Sequence, residues 1–213
     1  MSTAIKICGI STVEALDAAI EARADYIGLV FFPPSPRHVD AHAASALAMR
    51  AGARIGRVGL FVDADDAMIA EGVAAGRLDA IQLHGEETPE RVAQVRNRFN
   101  LPAWKAISVA TAKDVEAAES YRNVADLLLF DAKTPKDAAL PGGMGLRFDW
   151  SLLKGWTGRP GWGLAGGLTP ANVADAVTQS AAPLVDTSSG VESAPGIKDA
   201  GLIRSFCEAV HAI

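Results

Sequence analysis

The sequence predicts a (β/α)8 TIM barrel, an α/β fold built as a single domain over residues 1–213. Short apolar, β-branched runs alternate eight times with segments of helical character, and reactive residues recur just after those runs. Eight such units in one short chain favour a closed sheet, near the lower end of the barrel's usual range of roughly 200 residues and more. The rival is a doubly wound open sheet. Such sheets mostly have fewer strands, and the first turn lacks the glycine spacing of a dinucleotide site, because Cys8-Gly9 runs on into Ile10-Ser11.

The first strand begins at Ile5, and Gly9 interrupts it directly after Cys8. Ser11-Thr12-Val13-Glu14 offers an N-cap and an early acidic residue to an alanine-rich helix reaching Arg23. Tyr26 to Phe31 reads as a buried strand, ended abruptly by Pro33-Pro34-Ser35-Pro36. A helix over Asp40 to Ala51, a strand over Arg57 to Val62, a helix over Asp65 to Ala74 and a strand over Ala80 to Leu83 continue the alternation. Thr88-Pro89 opens the next helix, Ala103 to Ile107 forms the fifth strand, Thr111 to Tyr121 a helix and Asp126 to Phe130 the sixth strand. After a long connection Asp149 starts a short helix, Trp162 to Ala165 is a strand and Thr169-Pro170 opens a helix. Leu184-Val185 is the last strand and Lys198 to Ala212 the closing helix.

Hydrophobic residues make up 49% of the chain, enough for one core but cramped for two. A net charge of −5 with scattered lysines and arginines argues against nucleic acid and against a membrane surface, leaving a small molecule as the expected partner. Cys8 and Cys207 are the only cysteines, too few for a disulfide framework or a thiolate metal site, so reduced thiols in the cytoplasm are expected. Met1 to Ala4 lead straight into the first strand without a signal peptide, and no apolar run reaches the roughly 18 to 20 residues of a membrane span.

In a parallel barrel the loops leaving the strands' carboxyl ends build the active site. Those positions hold Cys8, then Arg37 and His38, Asp63, Gln82 with His84, Ser108, Asp131, Gly166-Gly167, and Asp186 to Gly190. The last two loops are the clearest. Gly166 and Gly167 precede a helix start, and Asp186-Thr187-Ser188-Ser189-Gly190 follows the last strand. Glycines let backbone amides approach an anion and serine hydroxyls donate, so a phosphorylated ligand is expected here. The alternative is a pair of ordinary tight turns.

Asp131 follows the buried run Leu127-Leu128-Leu129-Phe130, which delivers its carboxyl to the rim; capping a turn is the blander role. The connection from Ala132 to Phe148, with Pro135, Pro141 and Gly142-Gly143-Met144-Gly145, is far longer than usual and reads as a lid over the site. Cys8 and Asp131 then face each other across the mouth as candidate base and acid. A free thiol has a pKa of about 8.5, so a thiol base needs a nearby cation, and Lys6 on the same strand face is the candidate. Lys6 and Lys105 both interrupt apolar strands and are expected to be paired inside the barrel, Lys6 with a carboxylate such as Asp186. Arg37 offers a bidentate fork for a ligand carboxylate, and His84 is a second candidate contact. His38, His42 and His211 read as surface residues.

With these residues in view, the chain resembles the phosphoribosylanthranilate isomerase family along essentially its whole length. The resemblance rests on Lys6-Ile7-Cys8-Gly9-Ile10, Gly28-Leu29-Val30-Phe31 with Ser35-Pro36-Arg37, and Val58-Gly59-Leu60-Phe61-Val62. It continues through Gln82-Leu83-His84-Gly85-Glu86, Asp131 with Gly143 to Trp150, Ala165-Gly166-Gly167-Leu168, and Val185-Asp186 to Glu192 with Pro195-Gly196. It implies an Amadori rearrangement without metal or cofactor, Asp131 as general acid, Cys8 as general base, Arg37 near the anthranilate carboxylate, and a phosphate held by Gly166, Gly167, Ser188, Ser189 and Gly190. Thr187 and the Trp162-Gly163 pair depart from the family pattern without touching those roles.

Two rivals of the same class are a metal-dependent pentose-phosphate epimerase and the histidine-pathway aminoaldose isomerase. The histidines here form no evident metal cluster, and the second rival resembles a pair of aspartates where this chain has Cys8 and Asp131. A silent barrel that only binds a phosphorylated ligand is the rival of a different class. The apolar helix faces suit a monomer or a homodimer equally.

Overall fold

In the computed structural model, which describes residues 3–134, 145–156 and 161–213, eight parallel strands close into a barrel in chain order. They are β1 (Ala4–Cys8), β2 (Tyr26–Val30), β3 (Gly56–Phe61), β4 (Ala80–Leu83), β5 (Ala103–Val109), β6 (Leu127–Ala132), β7 (Gly161–Leu164) and β8 (Leu184–Thr187). The helices are α1 (Val13–Glu21), α2 (Ala41–Ala51), α3 (Asp66–Gly76), α4 (Pro89–Phe99), α5 (Ala112–Ala117), α6 (Val173–Ser180) and α7 (Ala200–His211). Thr12, Asp40, Asp65, Thr88 and Asp199 each cap a helix by accepting from the amide three residues on, which explains why the first four of those starts were legible. None of the described helices is long and apolar enough to cross a membrane.

Strand alternation decides which side chains reach the barrel's interior. Ile5 and Ile7 pack outward on the helices with Leu16, Ile69 and Phe206, while Lys6 and Cys8 point inward. The lower interior is plugged by Tyr26, Val58, Ala80, Trp104, Leu129 and Leu184, with Tyr26 and Trp104 edge to face at 5.3 Å. Above that plug Cys8, Val30 and Leu60 form the floor of the open mouth. Lys6 sits opposite Asp186 in the β1–β8 ladder that closes the barrel, and the two form the expected ion pair at 3.0 Å.

Lys105 departs from expectation. It is buried and paired, but it lies level with Leu83 and Leu128, which pack on the helix side, so it faces the helix layer and not the interior. Trp104, one residue earlier, takes the inward position. The Lys105 ammonium reaches Glu87 at 3.0 Å and the Gly85 carbonyl at 2.7 Å.

Several boundaries also move. β5 and β6 run farther than expected, so Ser108 and Asp131 are paired inside strands and not beyond them. The helix expected from Thr169-Pro170 begins at Val173, with Thr169 to Asn172 forming a turn before it. The helix expected from Lys198 begins at Ala200, because Lys198 belongs to a small antiparallel hairpin of β9 (Glu192–Ala194) and β10 (Ile197–Lys198). The expected lid falls mainly on residues 135–144, which lie outside the described residues.

Glu87 accepts from the Asp63 and Gly85 amides as well as from Lys105. Replacing it by alanine strands a buried ammonium and two amides. The Glu87→Ala variant is expected to lose about 3–5 kcal/mol of stability, read as a lower urea midpoint. Asp17→Ala, which breaks an exposed pair with Arg50, should leave that midpoint close to wild type.

Candidate active site

The barrel mouth at the strands' carboxyl ends encloses about 780 Å³, part of it open to solvent, a size suited to a small molecule. Its wall is divided. Val30, Phe32, Leu60 and Val62 make one side apolar, whereas Gly166, Gly167, Ser188, Ser189 and Gly190 make the opposite side a run of backbone amides and hydroxyls. Cys8, His84, Asp131 and Asp186 line the space between. Cys8, Arg37, His84, Asp131, Asp186 and the glycine and serine loops all line this one cavity, whereas Asp63, Gln82 and Ser108 do not. Exposed on the outside are His38, His42 and His211.

The thiol stands where β1 ends. Gly28 lies beside it on β2, and a Cβ there would come within 2.7 Å of the Cys8 Sγ, so glycine at this position leaves the thiol its room. Burial works against the Lys6 ammonium, yet Asp186 and Cys8 beside it outweigh that and hold its pKa above the ordinary lysine value. Burial likewise pushes the Cys8 thiol up, with Lys6 and Lys198 pulling it down and Asp186 adding to the rise. Burial thus favours the Cys8 thiol, and the two lysines work against it.

Opposite, Asp131 accepts from its neighbour's amide, Ala132 N, at 2.8 Å through Oδ1. Its Oδ2 lies 3.3 Å from the His84 Nε2. The Gln82 side-chain amide nitrogen lies 3.0 Å from His84 Nδ1 and holds the ring from below. Gln82 was legible only as a neighbour of His84; strand parity turns it inward, fully buried beneath the histidine.

On the third side the two glycines adopt left-handed backbone, φ +88° at Gly166 and +59° at Gly167. A Cβ on Gly166 would come within 2.6 Å of the Ala132 amide, so this loop packs directly on the end of β6. Thr187 Oγ1 donates to the Leu168 carbonyl at 2.8 Å and ties the two loops together. Gly190 approaches so closely that a Cβ there would overlap that same carbonyl. Such a nest of amides and hydroxyls can hold an anion.

Arg37 is buried, and its fork is already engaged: Nε and Nη2 donate to the two Glu192 oxygens at 2.7 and 2.8 Å. Glu192 also accepts from Lys198 at 2.6 Å. The sequence offered no reason to single out Lys198, because a two-residue strand carries no periodicity to betray its facing. Among the described residues no group of three histidine, cysteine or carboxylate side chains is placed to hold a metal ion.

Residues 5–209 match the family model described as N-(5'phosphoribosyl)anthranilate (PRA) isomerase. The N-(5'-phosphoribosyl)anthranilate isomerase of Paramagnetospirillum magneticum is 56% identical over 211 residues, which cover 99% of this chain and 98% of the relative. The crystal structure of phosphoribosyl anthranilate isomerase from Thermotoga maritima superposes with a TM-score of 0.89 at 34% identity, covering 99% of this chain and all of that one. A phosphoribosyl anthranilate isomerase in complex with reduced 1-(o-carboxyphenylamino)-1-deoxyribulose 5-phosphate has a TM-score of 0.86 at 32% identity, over 99% of this chain and all of that one. The chain thus belongs to the N-(5'-phosphoribosyl)anthranilate isomerase family.

Proposed function

We propose that the protein carries out the Amadori rearrangement of N-(5'-phosphoribosyl)anthranilate to 1-(2-carboxyphenylamino)-1-deoxyribulose 5-phosphate, a step of tryptophan biosynthesis, with Asp131 as acid and Cys8 as base. The observation that carries this reading is the divided cavity. An apolar wall, an anion nest and a thiol and a carboxyl between them match a ligand with an aryl ring, a phosphate and a sugar in the middle.

In this reading the phosphate rests on Gly166, Gly167, Ser188, Ser189 and Gly190, and the anthranilate ring lies against Val30, Phe32, Leu60 and Val62. Arg37, a buried cation already held on one edge by Glu192, attracts the ring's carboxylate. Asp131 gives a proton to the ribose ring oxygen as its bond to C1 breaks and the anthranilate nitrogen's lone pair forms the iminium. The charge left on Asp131 meets a waiting donor, the Ala132 amide, with His84 Nε2 3.3 Å away. The iminium draws electrons from C2, whose proton passes to the Cys8 thiolate, giving an enolamine. C1 then takes up a proton and the C2 hydroxyl loses one, leaving the ketone with no atom gained or lost. Asp186 serves this scheme by keeping Lys6 charged beneath Cys8.

A base that must be a free thiol supports a reducing cytoplasmic location. Every residue of the scheme lies on one chain, so it holds for a monomer or a homodimer.

Cys8→Ala and Asp131→Asn are each expected to lower turnover by about 10²- to 10⁴-fold, followed by loss of anthranilate fluorescence, while inorganic phosphate binds as in wild type. Normal turnover by both variants would refute the assigned roles. Gly190→Ala, which forces the last two loops apart, is expected to weaken phosphate binding by about tenfold, the worth of roughly one hydrogen bond, in a calorimetric titration.

A further inference from the structure

The scheme above uses Glu192 only as the tether of Arg37, yet its carboxylate collects four donors. Arg37 reaches Oε1 through Nε at 2.7 Å and Oε2 through Nη2 at 2.8 Å. The Lys198 ammonium donates to Oε1 at 2.6 Å, and the Gly196 amide donates to Oε2 at 3.2 Å. A carboxylate has about four acceptor positions, so all of them are taken. The Glu192 side chain is 4% exposed and, like that of Lys198, lies outside the cavity lining. Glu192 is therefore placed to hold other side chains and not a ligand.

What it holds lies on both flanks of the site. Arg37 stands in the loop after β2, its stem packed on Gly9, where a Cβ would come within 2.6 Å of the Arg37 Cδ. The turn of the β9–β10 hairpin presses on the same loop: a Cβ on Gly196 would come within 2.5 Å of the Pro36 carbonyl oxygen. On the other flank, after β8, Lys198 donates to the Ser188 carbonyl at 3.0 Å and to Ser188 Oγ at 3.3 Å. An ammonium only donates, so the serine oxygen accepts and its own hydrogen turns elsewhere. Ser188 lines the cavity, where an anion would take that hydrogen. β2 and β8 each pair with β1 and not with each other. No ladder therefore sets the Arg37 loop against the Ser188 loop, and the run of contacts from Arg37 through Glu192 and Lys198 to Ser188 joins them.

We propose that Glu192 is a positioning residue that joins the two ends of the site: its carboxylate fixes the Arg37 guanidinium and, through Lys198, the Ser188 hydroxyl, so that a ligand carrying both a carboxylate and a phosphate meets both contacts in register. The proposal deepens the reading of Arg37 as the carboxylate contact and of the glycine and serine loops as the phosphate site, and it rests on that reading. Glu192 touches no ligand in this role; it works through Arg37 and Ser188.

The test is calorimetric titration of the full-length protein with three ligands: the product 1-(2-carboxyphenylamino)-1-deoxyribulose 5-phosphate, its phenylamino counterpart without the carboxylate, and inorganic phosphate. Preference for the first over the second reads the Arg37 end, and phosphate affinity reads the Ser188 end. In Glu192→Gln both are expected to fall by about tenfold, roughly the worth of one hydrogen bond at each end. Lys198→Met is expected to lose phosphate affinity alone. Glu192→Asp keeps the charge but is one methylene too short to span both cations, so it is expected to lose at one end or both, and it carries the test if the glutamine variant does not fold. A merely structural glutamate would lower the urea midpoint and leave both readouts at wild type. That result overturns the proposal, as does a Lys198→Met variant that binds phosphate like wild type. So does a glutamine variant that binds the carboxylated ligand more tightly because Arg37 has lost a competing anion. A wild-type protein without preference for the carboxylated ligand, or without affinity for phosphate, refutes the underlying reading of the site and the proposal with it.

Discussion

A lysine without exposed surface inside a closed barrel must keep a carboxylate within reach or give up its proton, and the Lys6–Asp186 pair meets that demand across the seam between β1 and β8. Much of the site follows from this contact. Two residues beyond Lys6 on the same face comes Cys8, and two residues beyond Asp186 comes Ser188, so the pair fixes the relative height of the thiol and the anion loop. The seam that closes the fold is also the seam on which the thiol and the glycine and serine loop are mounted.

Asp131 and Cys8 sit in opposite environments. Asp131 accepts from the Ala132 amide and has the His84 ring 3.3 Å away, surroundings that favour its charged form. Burial holds the Cys8 pKa above its ordinary value, while Lys6 and Lys198, each tethered to a carboxylate, pull it back down. The floor beneath both is packed, with Trp104 and Tyr26 filling the interior below. In such surroundings a tethered charge acts on its neighbour with less screening than in water.

Residues whose chemistry and position are both local were legible in the chain. Cys8 before Gly9, Asp131 after an apolar run, and the glycine and serine loops each announce themselves within a few residues. Side chains whose role depends on strand parity or on distant partners were not. Lys105 and Lys6 look alike in sequence, but Trp104 claims the inward position and turns Lys105 to the helices. Arg37 was recognised as a fork without any sign that Glu192, far along the chain, would occupy one edge of it. Lys198 was assigned to a helix because the Pro195-Gly196 turn joins strands too short to show a pattern.

The most direct test is to generate phosphoribosylanthranilate in solution and follow its anthranilate fluorescence with and without the purified, chelator-treated wild-type protein. A barrel whose divided cavity binds aryl, sugar and phosphate together predicts rapid, protein-dependent loss of the signal. No acceleration over spontaneous decay, by a folded protein that still binds the substrate, would contradict the isomerase reading and leave a barrel that only binds a phosphorylated ligand or acts on a different phosphosugar.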